Sequence, residues 1–409
     1  MDLSPLKNAD FRRLYLSQFI SMLGTQMTMV TIPFQVYKIT QSTLHTGLVS
    51  TIELVCLVAT GLWGGVLADS VDRKRLLVAA ECAMAIFVGV LAVNAALPTP
   101  SLVLIYSTAG ILAALGGLHR PALEALTPLL VTEQDLPKVS VLASFKIIFA
   151  SLVGPSLAGF LAASMGAALT YSIDLVSFVA SLIFLIKIKT VIPSESLTSK
   201  EGSVVKQILD AALYLRSRKD ILGSYIVDFC AMVFCMPHVL FPALAIEYGQ
   251  EKMMGVLYAA VGAGSMVLSL TSGWTTKVHR IGLWIALSAG GWSLSIALAG
   301  SFRVFGVLTL GLFLAGACDS LSGIFRMTMW NESIPSQYRG RLASFSMLSY
   351  TSGPLLGNAA MGFMASMFGL QQSLLIGGCI AFGTVVLSSI ALPEFYGYQR
   401  RGYTSQNNI

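Results

Sequence analysis

The sequence predicts an all-α membrane protein with about twelve transmembrane helices in two six-helix bundles. Its composition, its long apolar runs and an internal repeat predict this class. Apolar residues make up 55% of the 409 residues and charged residues only 11%, with a mean hydropathy of +0.75. Soluble domains carry about 25% charged residues, whereas a surface that faces lipid needs few. The net charge of +6 does not indicate nucleic-acid binding, because the charges cluster between the apolar runs.

A helix of about 20 residues crosses the hydrocarbon core of a bilayer. The apolar runs are continuous rather than alternating, which excludes a transmembrane β-barrel. They predict spans at 14–38, 45–69, 75–97, 102–131, 140–165, 168–188, 222–247, 253–275, 281–301, 304–333, 342–367 and 370–392. The cysteines fall inside these runs, and no spacing of Cys or His suits a metal, so we expect neither disulfides nor a metal site.

The positions of Lys and Arg predict the topology, because cytoplasmic loops carry an excess of both. Only Lys38, Lys252 and Arg303 lie at one set of span ends. Three others, Arg120, Lys146 and Arg326, lie within spans, and all the rest lie at the opposite ends. We therefore expect both termini in the cytoplasm and a multi-pass protein of the inner (plasma) membrane.

The longest polar connection lies near the middle of the chain. It begins with a Pro-, Ser-, Thr- and Glu-containing stretch, and 204–219 reads as an amphipathic helix at the membrane surface. The predicted organisation is an N-terminal bundle at 1–190, a cytoplasmic linker at 191–220, a C-terminal bundle at 221–395 and a cytoplasmic tail at 396–409.

The two halves repeat. The motif Leu-Ala-Ser-Phe occurs at 142–145 and again at 342–345, Gly-Pro occurs at 154–155 and 353–354, and Arg120 has a counterpart in Arg326. Each pair is weak evidence alone, but the same order at nearly one offset indicates two parallel repeats. Parallel repeats related by an axis along the membrane normal are typical of the major facilitator fold.

Four stretches then resemble the third drug:proton antiporter subgroup of the major facilitator superfamily, and most closely its siderophore exporters of the enterobactin type. They are 11–24 with 37–42, 64–75, 121–131 and 335–342, and the resemblance covers nearly the whole chain. It implies a secondary exporter that alternates access to the two sides of the membrane.

The resemblance also implies a set of gating residues. Asp69 and Arg73 would form an inner latch; the alternative is that the basic run beside them only sets topology. The stretch from Gly154 to Gly159 resembles the antiporter motif of the fifth helix; the alternative is an ordinary proline bend with small-residue packing. The predicted gating residues are Gly65, Asp69, Arg73, Gly154, Pro155, Gly159, Arg339 and Arg341.

Polar residues inside spans are candidates for the substrate site, because burying charge in a membrane is expensive. The resemblance implies that spans one, four, seven and ten line a cavity. The predicted substrate-binding residues on them are Gln26, Arg120, Asp228, Asp319, Arg326 and Asn331. Arg120 and Arg326 hold equivalent places and suggest a clamp for an anionic substrate. The alternative is internal pairing, of Arg120 with Glu124 and of Arg326 with an acid across the cavity.

A proton-coupled transporter also needs an acid that titrates between two environments. The candidates are Glu53, Glu124, Asp228 and Asp319, with a structural ion pair as the alternative for each. Glu81 and Asp174 are predicted to be structural, and His119 and His238 are predicted to be packing residues.

The favoured function is a proton-coupled exporter of a siderophore, and a polycarboxylate would suit two arginines. The alternative is a multidrug or metabolite efflux antiporter. The chain has no phosphate-binding Gly-rich loop with Lys, so we expect the proton gradient to supply the energy, with no cofactor. Scattered His residues and the repeat argue against a membrane enzyme, and the latch and Gly-Pro motifs argue against a non-transporting sensor. We expect a monomer that works on a small molecule in the lipid bilayer.

Overall fold

A computed structural model of the chain describes residues 2–70, 72–189, 213–334 and 336–400, without the side chains of 62–70 and 336–349. Its described residues form helices and connecting turns, with no strand among them. The α-helices are α1 (Ala9–Thr40), α2 (Thr43–Ser70), α3 (Arg73–Ala96), α4 (Leu102–Leu126), α5 (Leu136–Met165), α6 (Ala167–Ile186), α7 (Lys219–Cys235), α8 (Phe241–Glu247), α9 (Met254–Thr271), α10 (Ile281–Ser301), α11 (Phe305–Ser333), α12 (Ser336–Phe368), α13 (Leu370–Ala391) and α14 (Pro393–Tyr396).

Ten helical segments in the described residues are long and apolar enough to cross a membrane. The seventh span combines α7, a short 3₁₀ turn and α8 into Lys219–Glu247. The two long helices α1 and α12 carry more polar side chains and do not meet the same measure of hydropathy. The chain is a multi-pass, all-helical membrane protein, and the count of twelve spans stays a prediction.

Several helices start and stop where the sequence provides a cap. The side chains of Asn8, Asp72 and Ser101 accept hydrogen bonds from backbone N–H groups at the starts of α1, α3 and α4, as N-caps do. Gly166 and Gly369 have φ of 90° and 89°, a region that favours glycine. Gly166 links α5 to α6 and Gly369 links α12 to α13, so both halves make the same turn at the same step.

The chain divides into two compact units. The first comprises Met1–Gln41, Leu48–Val204 and Gln250–Val256. In it, α1 packs on α5 and α6, and α3 packs on α4 and α6. One apolar cluster of this unit is centred on Val88, Leu91, Ile105 and Tyr171, and a second contains Phe11, Leu77 and Leu142.

The second unit comprises Ser42–Gly47, Val205–Gly249 and Leu257–Ile409. Here α10 packs on α7, α11 and α13, and α7 also packs on α12 and α13. After α13 the chain continues through α14, which lies against α7, α10 and α13. Phe395 on α14 is fully buried, so this segment belongs to the packed unit.

Two predicted segments differ from the structure or lie beyond it. The span predicted at 222–247 is broken, since α7 ends at Cys235 and α8 begins at Phe241. Pro237 explains the break, because proline has no N–H to donate and disfavours helix in the residue before it. Most of the predicted amphipathic helix at 204–219 lies outside the described residues, although 213–217 are helical.

Candidate substrate and proton site

The second unit contains a buried ion pair. Arg326 on α11 contacts the carboxylate of Asp228 on α7, and the two residues are 2% and 6% exposed. Each charge is expensive to bury alone, so each depends on the other. A guanidinium carries five N–H donors, and the buried Nε of Arg326 has no hydrogen-bond partner among the described residues. The cation is therefore only partly satisfied.

One aromatic ring contacts this pair, and two further aromatic rings lie on the same helices. The guanidinium carbon of Arg326 lies 5.5 Å from the centre of the Tyr350 ring on α12. The rings of Tyr225 and Trp330 stack with centroids 4.6 Å apart, and the Trp330 indole N–H donates to Ser224 at 3.0 Å. These contacts join α7, α11 and α12 near the ion pair.

Asp319 adds a second acid beside Arg326. It lies seven residues before Arg326 on α11, two turns along the same helix face. It is partly buried, and the structure gives it no hydrogen bond or ion pair among the described residues. Arg326 therefore pairs with one acid from α7 and has a second acid two turns away on its own helix.

Arg120, the sequence counterpart of Arg326, has a different environment. Its side chain is 51% exposed, and its Nε donates to Glu124 on the next turn of α4 at 3.1 Å. An exposed pair of this spacing contributes a few tenths of a kcal/mol. The two arginines of the predicted clamp are therefore paired differently, one with a neighbour on its own helix and the other with an acid on another helix.

The remaining predicted site residues occupy varied positions. Gln26 on α1 is partly buried and donates to Ser151 of α5 at 3.4 Å. Glu53 on α2 is partly buried, and Asn331 is exposed near the end of α11. Lys146 on α5 is partly buried and makes no ion pair within the described part of the chain. The structure brings Asp228, Asp319 and Arg326 together, while the roles of the others stay predictions.

Sequence reasoning gave little weight to a buried polar cluster in the first unit. Glu81 on α3 is fully buried and accepts hydrogen bonds from Gln18 and Ser181, both at 2.6 Å. His119 on α4 lies 3.2 Å from the same carboxylate, and Ser17 bonds to Ser181 at 2.7 Å. The signal in the sequence was a set of polar residues inside four separate apolar spans.

The Gly-Pro motif of α5 lies against α1. An atom added as Cβ at Gly154 would lie 2.7 Å from Cβ of Gln26 and 3.1 Å from the Leu23 carbonyl oxygen. A side chain at Gly159 would collide with the backbone of Gly255, which the same unit includes. The small residues therefore permit close helix approach, as they do in membranes generally.

The predicted latch falls mainly on residues whose side chains are not described. Asp69 and Gly65 lie in α2, and Arg339 and Arg341 lie in α12, all within the ranges without side chains. Arg73 opens α3 and donates to the Ala125 carbonyl at 3.4 Å. The latch between Asp69 and Arg73 stays a prediction.

Comparison with known proteins decides the family. The model of the family described as transmembrane secretion effector matches residues 1–403. The chain belongs to the transmembrane secretion effector family. It is 30% identical to the enterobactin exporter EntS of Citrobacter koseri over 96% of this chain and 93% of that one. It is also 30% identical to the enterobactin exporter EntS of Salmonella typhimurium, over 96% and 94% of the two chains.

Solved structures share the fold. The nucleoside transporter NupG matches with a TM-score of 0.72 at 15% identity, over 95% of this chain and 99% of that one. A bacterial homologue of the iron transporter ferroportin matches with a TM-score of 0.68 at 18% identity, over 97% and 100%. The predicted major facilitator fold is confirmed. With the family, it makes the chain a secondary transporter that exports a small molecule rather than an enzyme.

Proposed function

We propose that this transporter exports a siderophore, of an anionic carboxylate type, by proton-coupled alternating access. The named relatives at 30% identity are enterobactin exporters, which supports the siderophore class. Arg326 supports an anionic substrate, because it is a buried arginine whose Nε lacks a partner in the described residues. A guanidinium forks onto a carboxylate with two parallel hydrogen bonds, so a substrate carboxylate suits this group.

We also propose the substrate and proton roles that the sequence predicts for individual residues. Arg120 is the second cation of the substrate site, and one or more of Glu53, Glu124, Asp228 and Asp319 carry the proton. The protein works as a monomer in the inner (plasma) membrane with both termini in the cytoplasm. The proton gradient is the energy source, without a cofactor.

An iron-starved deletion strain tests this function. We expect iron-chelating activity to disappear from the medium and the chelator to accumulate in the cell. A plasmid copy of the wild-type gene should restore secretion, and a copy with Arg326→Gln and Asp228→Asn together should not. Unchanged secretion by the deletion strain would overturn the siderophore proposal.

A broad drug efflux antiporter is the second candidate. Asp228 lies one turn from Tyr225 on α7, and the Tyr225 ring stacks on Trp330, which in turn contacts Tyr350. Such a surface also suits an aromatic cation. Accumulation of a cationic dye in the deletion strain, reversed by the gene, would support this candidate. The two assays use the same strains, so one experiment compares both functions.

A further inference from the structure

The charges around Arg326 restrict how an anion can bind there. In the structure Arg326 and Asp228 neutralise each other, and both are almost completely buried. A second anion placed on this arginine would leave one negative charge without a counter-ion. An uncompensated buried charge is strongly unfavourable, and the affected group changes its protonation state instead.

We propose that a substrate carboxylate displaces Asp228 from Arg326 and that Asp228 takes up one proton as it is displaced. Before binding, Arg326 is paired with ionised Asp228. After binding, Arg326 is paired with the substrate carboxylate and Asp228 is a neutral acid. One anion and one proton enter together, so the net charge of the site does not change. The inference rests on the proposed carboxylate substrate.

The groups that face the pair support this assignment to Asp228. Asp319 lies two turns away on α11 and does not contact Arg326 within 4 Å, whereas Asp228 does. The Tyr350 ring contacts the guanidinium through its face and keeps that contact whichever anion is bound. Tyr225 stacks on Trp330 rather than on the ion pair. Asp228 is thus the acid that loses its counter-ion when an anion arrives.

The sign of the coupling distinguishes the two candidate functions. A carboxylate substrate binds together with a proton. The proton neutralises Asp228 after it loses its counter-ion, and the substrate carboxylate then neutralises Arg326. A cationic drug competes with the proton for the same carboxylates and so releases it. Export of the anion together with one proton moves that proton outward, against the pH difference. A substrate with several carboxylates still carries net negative charge outward, so the electrical component of the proton gradient, negative inside, supplies the energy.

Proton uptake on anion binding tests the proposal. Purified wild-type transporter is titrated with citrate in weak buffer that contains a pH indicator, at a pH where citrate is fully ionised. We expect uptake of up to one proton for each citrate bound. By linkage, the dissociation constant for citrate should rise about tenfold for each pH unit in the range where Asp228 ionises.

Variants identify the group that takes the proton. Asp228→Asn should bind citrate with an affinity that does not depend on pH and without proton uptake. Asp228→Asn with Arg326→Gln should not bind citrate. The matched control is the exposed pair of Arg303 and Glu247 in the same unit, whose nitrogen and oxygen lie 3.3 Å apart. Arg303→Gln and Glu247→Gln should behave as the wild type.

Three results would overturn the proposal: no citrate binding by the wild type, binding without proton uptake, or uptake that persists in Asp228→Asn. The first two results need only the wild-type protein, so the proposal can be overturned even if a variant fails to fold. Failure here is separate from failure of the proposed function. Secretion of the chelator in cells, together with citrate binding that takes up no proton, would keep the exporter and remove this coupling.

Discussion

At the scale of single residues, the Arg326–Asp228 pair is more important as a pair than as a source of stability. Well-packed apolar residues often replace a buried ion pair without loss, while removal of one partner costs about 3–5 kcal/mol. Both residues are almost completely buried, so the same energetics apply to this pair. Its presence in a membrane helix bundle therefore indicates function more than stability.

The first prediction distinguishes a role of the pair in stability from a role in transport. Arg326→Gln should lower the thermal midpoint of the purified protein, because Asp228 is left as a buried charge without its partner. Adding Asp228→Asn should recover most of that loss, since the remaining groups are neutral. Export should stay lost in both variants. If the double variant exports at the wild-type rate, the arginine has no role in the substrate site.

Glu81 supports a second prediction at this scale. Glu81→Ala should destabilise the protein by about 1–3 kcal/mol for each partner left unsatisfied, because Gln18 and Ser181 both donate to this carboxylate. Glu81→Gln should cost much less. Its amide N–H can donate to Ser181, whose hydroxyl can donate to Ser17. Thermal unfolding of the two variants measures the difference, and similar losses would contradict the hydrogen-bond assignment.

The sequence predicted which residues are polar within spans but not how each is paired. The pairing of Arg120 with Glu124 was visible as an i, i+4 spacing, since both residues are on one helix. The partner of Arg326 is on another helix, so no local spacing reveals it. Equivalent places in the repeat suggested similar roles for the two arginines, although their burial differs greatly. Tertiary contacts, not the local pattern, determine that difference.

At the scale of helices, the packing of α5 on α1 depends on the absence of a side chain at Gly154. In an exposed helix, replacing Gly by Ala stabilises by about 1 kcal/mol. At Gly154 the new methyl group would meet the base of the Gln26 side chain at 2.7 Å. The atom it meets is a Cβ, which cannot move away without moving α1.

The third prediction uses this contact. Gly154→Ala should lower both thermal stability and export, because the gain in helix propensity is smaller than the cost of separating two helices. Gly116→Ala in α4 is the matched control, since nothing lies within 4 Å of the added atom. Export by membrane vesicles and thermal midpoints should fall for Gly154→Ala alone. Equal behaviour of the two variants would show that α5 does not need close approach.

The segment after α13 provides the fourth prediction. Phe395 lies between Gly223 of α7 and Gly282 of α10, and it is fully buried. Phe395→Ala should cost about 3–5 kcal/mol, as for other buried aromatic residues. Tyr396→Ala is the control, because Tyr396 is 45% exposed. Unfolding of the purified variants, followed by intrinsic fluorescence, tests whether this segment helps to hold the second unit together.

The sequence predicted the helices better than their interruptions and end contacts. Most spans were found because continuous apolar runs of this length are helices in lipid. The break after Cys235 was missed, although Pro237 marks it, because the apolar run continues across it. The tail was predicted to begin at residue 396. In the structure the Tyr398 carbonyl accepts a hydrogen bond from the Gly282 N–H, and Arg400 pairs with Glu332. Such contacts follow from the packing of distant segments and leave no local signal.

At the scale of the whole molecule, charge placement carries information that hydropathy lacks. Within the part of the chain that the structure describes, ten helical segments are long and apolar enough to cross a membrane, while α1 and α12 carry more polar residues. Polar residues within α1, such as Gln18 and Gln35, are buried and bonded to other helices. A long helix whose polar groups pair inside the bundle can still span the membrane. The distribution of Lys and Arg is then the better guide to the number of crossings.

The fifth prediction follows from that distribution. If α1 and α12 both cross, the number of spans is twelve, and both termini lie on the side with the excess of Lys and Arg, which is the cytoplasm. A fluorescent protein fused after residue 400 should then fluoresce, and alkaline phosphatase at the same place should be inactive. A second pair of fusions near Gly166, in the turn between α5 and α6, should give the opposite result. If α12 does not cross, an even number of spans separates Gly166 from residue 400, and the two pairs of fusions should report the same side of the membrane, which would contradict the count of twelve.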